Sequence, residues 1–354
     1  MDFVTNSELL IALAWWTGVI SLILSVLLIG ETFLLHSNIV RRSKRAERFR
    51  AKWQPLLFES LGGLPKDLPP IKRGDETTFL TLWNYLQESL RAESKNQLNN
   101  LAFLLKIDEI AIRRLAEGSV TDQLLAINTL GWLRESRAWS SLEKFLYNDD
   151  TRFALLSAKA LIRIDGERAV GILVPLLSER KNWSVTALAD ILRVAGADII
   201  SEPLARAALE SPAENAPRLI RLLALAHPGA TIPVVRKLIG RVSEMEIVTA
   251  CLHVLQDTEE LDTVRGFLND ERWQIRLQAV ACLGRIGTEE DEPQLIKMSG
   301  DSEWWVRYRS AQALGNLPTM TTERLLQIAD NHPDRYARDI IQQVVTERQV
   351  AEQC

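Results

Sequence analysis

Apolar residues in the last third of the chain fall at helical spacing, and the spacing repeats itself. Residues 270–287 read DERWQIRLQAVACLGRIG and residues 301–317 read DSEWWVRYRSAQALGNL. An offset of 31 brings Asp270 onto Asp301, Trp273 onto Trp304, Arg276 onto Arg307, and Leu283-Gly284 onto Leu314-Gly315. A fixed period of roughly 20–50 residues predicts a solenoid, in which each unit buries its apolar face on its neighbours. With Leu283 and Leu314 as index positions, the upstream equivalents are Leu130, Leu161, Leu192, Leu223 and Leu252. The successive intervals are 31, 31, 31, 29, 31 and 31.

Each index leucine lies late in a predicted helix, and a partner helix runs back along it. The partner helices are expected to begin near Ala138, Glu167, Ile199, Thr231, Leu261, Pro293 and Thr322. Small residues precede the index leucines, such as Ala158, Ala160, Ala279, Cys282 and Ala313, and let neighbouring helices approach closely. Gly166, Gly196, Pro228-Gly229, Gly287 and Pro333 punctuate the pattern. Before the regular part, Phe79, Leu80, Trp83, Leu86 and Leu90 predict a helix that Asp75 or Thr77 can cap. A second helix is expected over about residues 94–106, and the two form a divergent first unit.

The N-terminal pattern is of another kind. From Leu9 to Gly30 no residue is charged. As a helix this run is about 33 Å long, enough to cross the hydrocarbon core of a bilayer. A cleaved signal peptide fits badly, because Asp2 and Glu8 precede the run, no Lys or Arg does, and no A-x-A site follows. Residues 41–52 then carry seven cations, Arg41, Arg42, Lys44, Arg45, Arg48, Arg50 and Lys52, against Glu47. Of the net charge of −4, residues 1–40 contribute −3 and residues 41–52 contribute +6, which leaves −7 for residues 53–354. Cations close behind a span stay cytoplasmic and attract anionic headgroups. The expected order is a short extracytoplasmic N-terminus (1–8), a transmembrane helix (9–35), a basic juxtamembrane helix (36–53), a Pro/Gly-rich linker (54–75) and a solenoid (76–354). A segment as short as 1–8 cannot be a sensor domain.

Composition narrows the class further. Three cysteines, Cys251, Cys282 and Cys354, are too few for a disulfide framework. Cys251 and Cys282 are 31 apart in ACL tripeptides and read as small core residues. The acidic body argues against nucleic-acid binding. His36, His227, His253 and His332 have no metal-ligand spacing, and no phosphate loop, nucleophile elbow or paired-cysteine motif occurs. The run Thr288–Glu292, TEEDE, reads as a solvated helix start. No catalytic, cofactor or metal residue is assigned.

The pattern D-x-x-x-x-[VI]-R-x-x-[AS]-[AV]-x-[AC]-L-G resembles a helix of a HEAT repeat, of the compact bacterial, phycobilisome-lyase type. Asp270, Ile275, Arg276, Leu283 and Gly284 match, as do Asp301, Val306, Arg307, Leu314 and Gly315. The resemblance covers about residues 107–345. It implies an all-α, right-handed α-α superhelix in which Asp270, Arg276, Asp301 and Arg307 hydrogen-bond along the stack. At the arginine position the upstream units have Gln123, Ala154, Val185, Ala216 and Met245. The ladder is therefore expected to be absent there and apolar packing to dominate. Lyase activity does not transfer, because such repeats serve many functions.

Aromatic residues at helix starts are the functional signal. Trp183, Trp273, Trp304, Trp305 and Tyr308 are the candidate partner-binding residues, and Trp305 has only Gln274 as its equivalent one unit earlier. The expected function is a non-catalytic scaffold at the inner face of a cell membrane. It would bind protein partners, another inner-membrane protein among them, with lipid contacted by the anchor and the basic cluster. A bacterial envelope complex making or exporting a polysaccharide suits this arrangement. The alternatives are a regulatory or lyase-like module, with a titratable groove, and a nucleic-acid-binding array, with a basic one. No small-molecule substrate is expected.

Overall fold

The computed structural model describes the backbone of residues 2–65, 67–239 and 244–353. Side chains are described within these ranges except at 1–14, 34, 35, 37–39, 42, 92, 352 and 353. Among the described residues all regular structure is helical, as the repeat pattern requires. The chain divides into two compact units, residues 1–133 and 134–354.

The first unit contains five α-helices: α1 (Asp2–Glu59), α2 (Glu76–Ser89), α3 (Ala92–Leu104), α4 (Ile107–Glu117) and α5 (Val120–Leu133). Helix α1 is continuous. Its stretch Trp15–Phe33 has a mean hydropathy of 1.8, buries nothing against the protein, and is long and apolar enough to cross a membrane. The far end of the same helix is built into a core. Trp53 and Leu57 are fully buried with Phe79, Leu80 and Trp83 of α2, Leu98 and Leu101 of α3, and Ile107 of α4. Phe49 stacks on Trp53 at 5.9 Å, and Trp53 meets Phe79 edge-on at 5.0 Å.

The proline at the start of the expected linker does not end this helix. Pro55 lies inside α1, which runs on to Glu59. Proline inside a helix removes one backbone bond and crowds the preceding turn. Here Trp53 and Leu57 are locked in the core on either side of it, and that burial offsets the loss. Leu68 and Ile71, in the irregular segment that follows, pack on the same cluster.

Polar contacts also tie this unit together. The Arg45 guanidinium holds Asp75 through bonds of 2.6 and 2.9 Å, so Asp75 makes no side-chain cap to α2. Buried Glu76 accepts from Arg113 at 2.6 Å and Arg114 at 2.9 Å. Asp122 accepts from the Thr77 hydroxyl at 2.6 Å and the Ser119 hydroxyl at 2.9 Å.

In the second unit, one layer holds the index helices: α7 (Thr151–Ile164), α9 (Val185–Ala195), α11 (Ala216–Leu222), α13 (Met245–Val254), α15 (Trp273–Ile286), α17 (Trp304–Asn316) and the last helix, α19 (Arg335–Gln353). The other layer holds their partners: α6 (Trp139–Leu146), α8 (Gly166–Glu179), α10 (Ala197–Glu210), α12 (Pro228–Ile239), α14 (Leu261–Gly266), α16 (Glu292–Met298) and α18 (Thr322–Asn331). Every partner helix begins within about three residues of its expected start. All seven index leucines, Leu130 of the first unit included, are buried. The glycine after Leu283 sets the closest approach: a Cβ on Gly284 would lie 3.0 Å from the Cα and Cβ of Ala313, so α15 and α17 pack nearly backbone to side chain there. Cys251 and Cys282 are buried, and burial pushes their thiols up to about 12 and about 11.

One expectation is corrected. The run Thr288–Glu292 is not simply solvated. Asp291 is fully buried, accepts the Thr288 backbone N–H at 2.8 Å, and takes the Nε–H of Arg265, one unit earlier, at 2.7 Å. In the middle units, where apolar packing is expected to dominate, two arginines add bonds across units. Arg180 donates to the Tyr147 carbonyl at 2.9 Å, and Arg218 donates to the carbonyls of Arg180 at 2.9 Å and of Trp183. These donors sit outside the arginine register of the repeat, which is why the ladder position alone does not reveal them.

Trp53 is the side chain through which α1 enters the first core. Its truncation, Trp53→Ala, is expected to destabilise the first unit by about 3–5 kcal/mol. Trp305→Ala, at an exposed site, is expected to change stability by no more than about 0.5 kcal/mol. Urea unfolding of the detergent-solubilised full chain compares the two, and equal effects would show that α1 is not part of that core.

Candidate partner-binding surface

Sequence reasoning proposed five aromatic residues, and the structure brings three of them together. Asp301 sets the local geometry: its Oδ1 accepts the Glu303 N–H at 2.9 Å and so fixes the entry into α17. The first turn of that helix then displays Trp304 and Trp305, 42% and 58% exposed. They meet edge-on at 4.7 Å, and Trp304 stacks on Tyr308, four residues on, at 5.2 Å with the rings 7° apart. The Tyr308 hydroxyl donates to Glu347 of α19 at 2.9 Å, a bond that holds its phenol above the usual range. An ordered, exposed aromatic cluster of this kind offers large contact area at little entropic cost.

The other two aromatics do not join it. Trp183 is buried, which removes it as a partner contact: Arg218 bonds the carbonyl of Trp183 and closes that corner. Trp273 is half-buried. Tyr336, at the start of α19, belongs to the surface although it was not singled out. It is 68% exposed, and the Arg307 guanidinium carbon lies 5.8 Å from its ring centre. One further step of 31 from Trp305 lands on Tyr336, so the signal was in the repeat.

Beneath the aromatics lies the ladder. Arg276 reaches forward one unit and clamps Asp301, Nε to Oδ2 and one terminal nitrogen to Oδ1, both at 2.8 Å. Its other terminal nitrogen donates to the Asp270 carbonyl at 2.9 Å and the Glu271 carbonyl at 3.0 Å. Burial pushes the Asp301 carboxyl up, but the bonds from Arg276 and the Glu303 N–H outweigh it and the net shift is down. Asp270 has no arginine one unit earlier and pairs instead with Arg272 at 2.9 Å. Arg307 repeats the backbone half of the arrangement, donating to the carbonyls of Asp301 at 2.8 Å and Ser302 at 3.0 Å. With the Arg265–Asp291 pair of the other layer, Arg276–Asp301 fastens the final units on both sides.

Of the basic cluster on α1, Arg41, Lys44, Arg48, Arg50 and Lys52 are exposed. Arg45 is exposed too but is committed to Asp75. The Arg42 side chain lies outside the described residues. Among the described residues no group of His, Cys, Asp and Glu is placed to hold a metal ion.

Residues 261–345, the part fastened by both ion pairs, match the HEAT repeats family. No curated protein matches the chain. Among solved structures, a crystal structure of importin beta is similar at 15% identity, over 83% of this chain and 46% of that one, with a TM-score of 0.45. The crystal structure of an engineered protein is similar at 14% identity, over 76% of this chain and 84% of that one, with a TM-score of 0.35. The chain thus spans less than half the length of the importin beta chain. The family match and the helix pairs together make the fold a HEAT-like α-solenoid.

The Arg276–Asp301 pair makes the end of the array acid-sensitive. Asp301 titrates below its ordinary value in the folded chain, so the unfolded chain binds more protons in acid. Its contribution is complete above the unfolded carboxyl value of about 4 and disappears as pH falls through the lower folded value. Asp301→Asn is expected to cost about 2–3 kcal/mol at neutral pH, somewhat less than breaking a fully buried pair, and to flatten the acid branch of stability against pH. Urea midpoints between pH 7 and 3 measure both effects. An unaltered acid branch in the variant would show that the pair contributes nothing.

Proposed function

We propose that this chain is a membrane-anchored HEAT-repeat scaffold. In this reading α1 crosses the cell membrane with its N-terminus outside, and the solenoid binds protein partners in the cytoplasm, another inner-membrane protein among them. HEAT-like solenoids typically serve protein interaction, and the exposed aromatic surface on α17 supplies binding anchors of the expected kind.

The observation that carries the reading is the continuity of α1. One helix holds the apolar stretch Trp15–Phe33 and, without a break, Phe49, Trp53 and Leu57 in the first core. A flexible tether would localise the domain only loosely. A rigid helix fixes its distance: at 1.5 Å per residue, Trp53 lies about 30 Å along α1 from Phe33. The exposed cations of residues 41–52 fall in that interval. Those nearest the span can reach anionic headgroups, each contributing about 1 kcal/mol close to the surface. The chemistry of the surface, aromatic and charged, suits protein contact.

The test has two parts. Residues 36–354 expressed without the apolar stretch should leave the membrane fraction, and single cysteines introduced near residue 60 should be blocked by a membrane-impermeant thiol reagent only after cell lysis. Cross-linking in native membranes should retain a defined partner in the wild type and lose at least half of it in a Trp304→Ala/Trp305→Ala double variant. A truncated chain that stays with the membrane through carbonate washing would overturn the anchor. A partner yield unaffected by the double variant would remove the aromatic surface from the reading.

A further inference from the structure

The ladder is incomplete at its last rung, and the gap lies under the exposed aromatics. Arg276 uses both edges of its guanidinium: one terminal nitrogen bonds the carbonyls of Asp270 and Glu271, and the Nε edge takes the Asp301 carboxylate. Arg307 has the same backbone half, to Asp301 and Ser302. Its Nε, shut away from water, has no hydrogen-bond partner among the described residues. A buried donor without an acceptor costs about 1–3 kcal/mol, so the position favours any acceptor that can reach it.

The reason for the gap is a change of register. Asp301 follows Arg276 by 25 residues, but position 332 is a histidine and the next aspartate is Asp334, 27 residues after Arg307. Asp334 still starts its helix as Asp301 does, accepting the Tyr336 N–H at 2.8 Å. It makes no ion pair with Arg307 among the described residues. The Tyr336 ring stands over the guanidinium instead, on an exposed side chain that can rotate away. His332 is turned inward, to the Ser299 hydroxyl and the Ile296 carbonyl.

We propose that the Nε edge of Arg307 is a docking site for a carboxylate of a partner protein, an Asp or Glu in a segment whose neighbouring apolar side chain lies on Trp304 and Trp305. The inference rests on the scaffold reading and specifies the chemistry of its partner. Arg276–Asp301 is the internal template. It shows that this arginine, held by two carbonyls at the start of such a helix, accepts an aspartate through two parallel bonds, the strongest arrangement open to a guanidinium. Charge complementarity selects an acidic segment, and the aromatics give it area. Binding swings Tyr336 aside and completes the rung in trans.

The probe is a fluorescein-labelled peptide with the sequence of residues 298–304, MSGDSEW, which presents an aspartate in the register that Arg276 already accepts. Fluorescence anisotropy with the detergent-solubilised full chain should show saturable binding. The same peptide with Asn in place of that Asp should bind about tenfold more weakly, the equivalent of one charge-assisted bond. Arg307→Gln should lower affinity to the same degree. Arg307→Lys, which keeps the charge but not the fork, should fail to restore it. Tyr336→Ala should leave binding of the Asp peptide equal or tighter. Equal binding of the Asp and Asn peptides to the wild type would overturn the proposal, and this comparison does not depend on how any variant folds. A wild-type dimer that Arg307→Gln converts to a monomer would overturn it as well, because a second copy would then fill the site. Loss of peptide discrimination while the cross-linked membrane partner persists would remove this docking site and leave the scaffold standing.

Discussion

A single helix pair of this chain has no interior of its own. Within residues 134–354 the index leucines are buried between stacked helices, and a solenoid unit depends on its neighbours, so the ends of a run must find cover elsewhere. In the first unit, part of that cover comes from α1. Phe49, Trp53 and Leu57 project from its last turns into the core formed by α2, α3 and α4, and Leu68 and Ile71 pack over the same cluster. The helix that carries the apolar stretch is therefore a structural member of the first unit rather than an appendage. Pro55 survives inside it for the same reason: the residues on both sides are held by burial, and one missing backbone bond is not enough to break the helix there.

The ion pairs follow a different logic from the apolar packing. Leucines at the index position are interchangeable from unit to unit, whereas each arginine is placed by what its neighbours lack. Arg276 meets an aspartate one unit on, Arg265 meets Asp291 in the opposite layer, and Arg218 and Arg180, with no aspartate in reach, bond carbonyls. Burial lowers the affinity of the Arg218 guanidinium for its proton, the cost of using carbonyl oxygens in place of a carboxylate. Arg307 is left with half its bonds. Both cross-unit ion pairs of the regular part, Arg265–Asp291 and Arg276–Asp301, fall in residues 261–345, and the irregular position after Arg307 leaves a donor available for other contacts.

This division explains what could be read from the sequence. The index leucines, the starts of the partner helices and the buried cysteines were legible because periodic burial writes itself as a local pattern, and the long apolar helix because its run carries no charge. The ends of the charged side chains were not. Glu76 finds Arg113 and Arg114 nearly forty residues away, and Asp291 finds Arg265 across a unit boundary. The run holding Asp291 looked like a solvated helix start and Glu76 gave no signal, since nothing local separates an acid facing water from one facing a distant guanidinium. Trp183 misled for a related reason. It opens a helix as Trp273 and Trp304 do, but Arg218 closes over it, and that arginine lies outside the ladder register. Of the candidate surface, Trp304, Trp305 and Tyr308 could be found from helix starts. Tyr336 required following the period one step further.

Charge segregation acquires a mechanical meaning once α1 is continuous. Residues 41–52 carry +6 and residues 53–354 carry −7, so an anionic bilayer surface attracts the first and repels the second. A loose tether would let these forces set the distance of the first unit from the surface, and that distance would change with salt. The helix takes the decision away from them. In the proposed anchored arrangement it carries Trp53 about 30 Å past Phe33, several times the screening length of about 8 Å at physiological ionic strength, so repulsion of the acidic body would be largely screened at that separation. Arg45, spent on Asp75, then serves to hold α1 against α2 rather than to bind lipid. In the proposed anchored arrangement, the cations nearest the apolar stretch would meet the headgroups, and those nearest Trp53 would keep the helix hydrated between membrane and core.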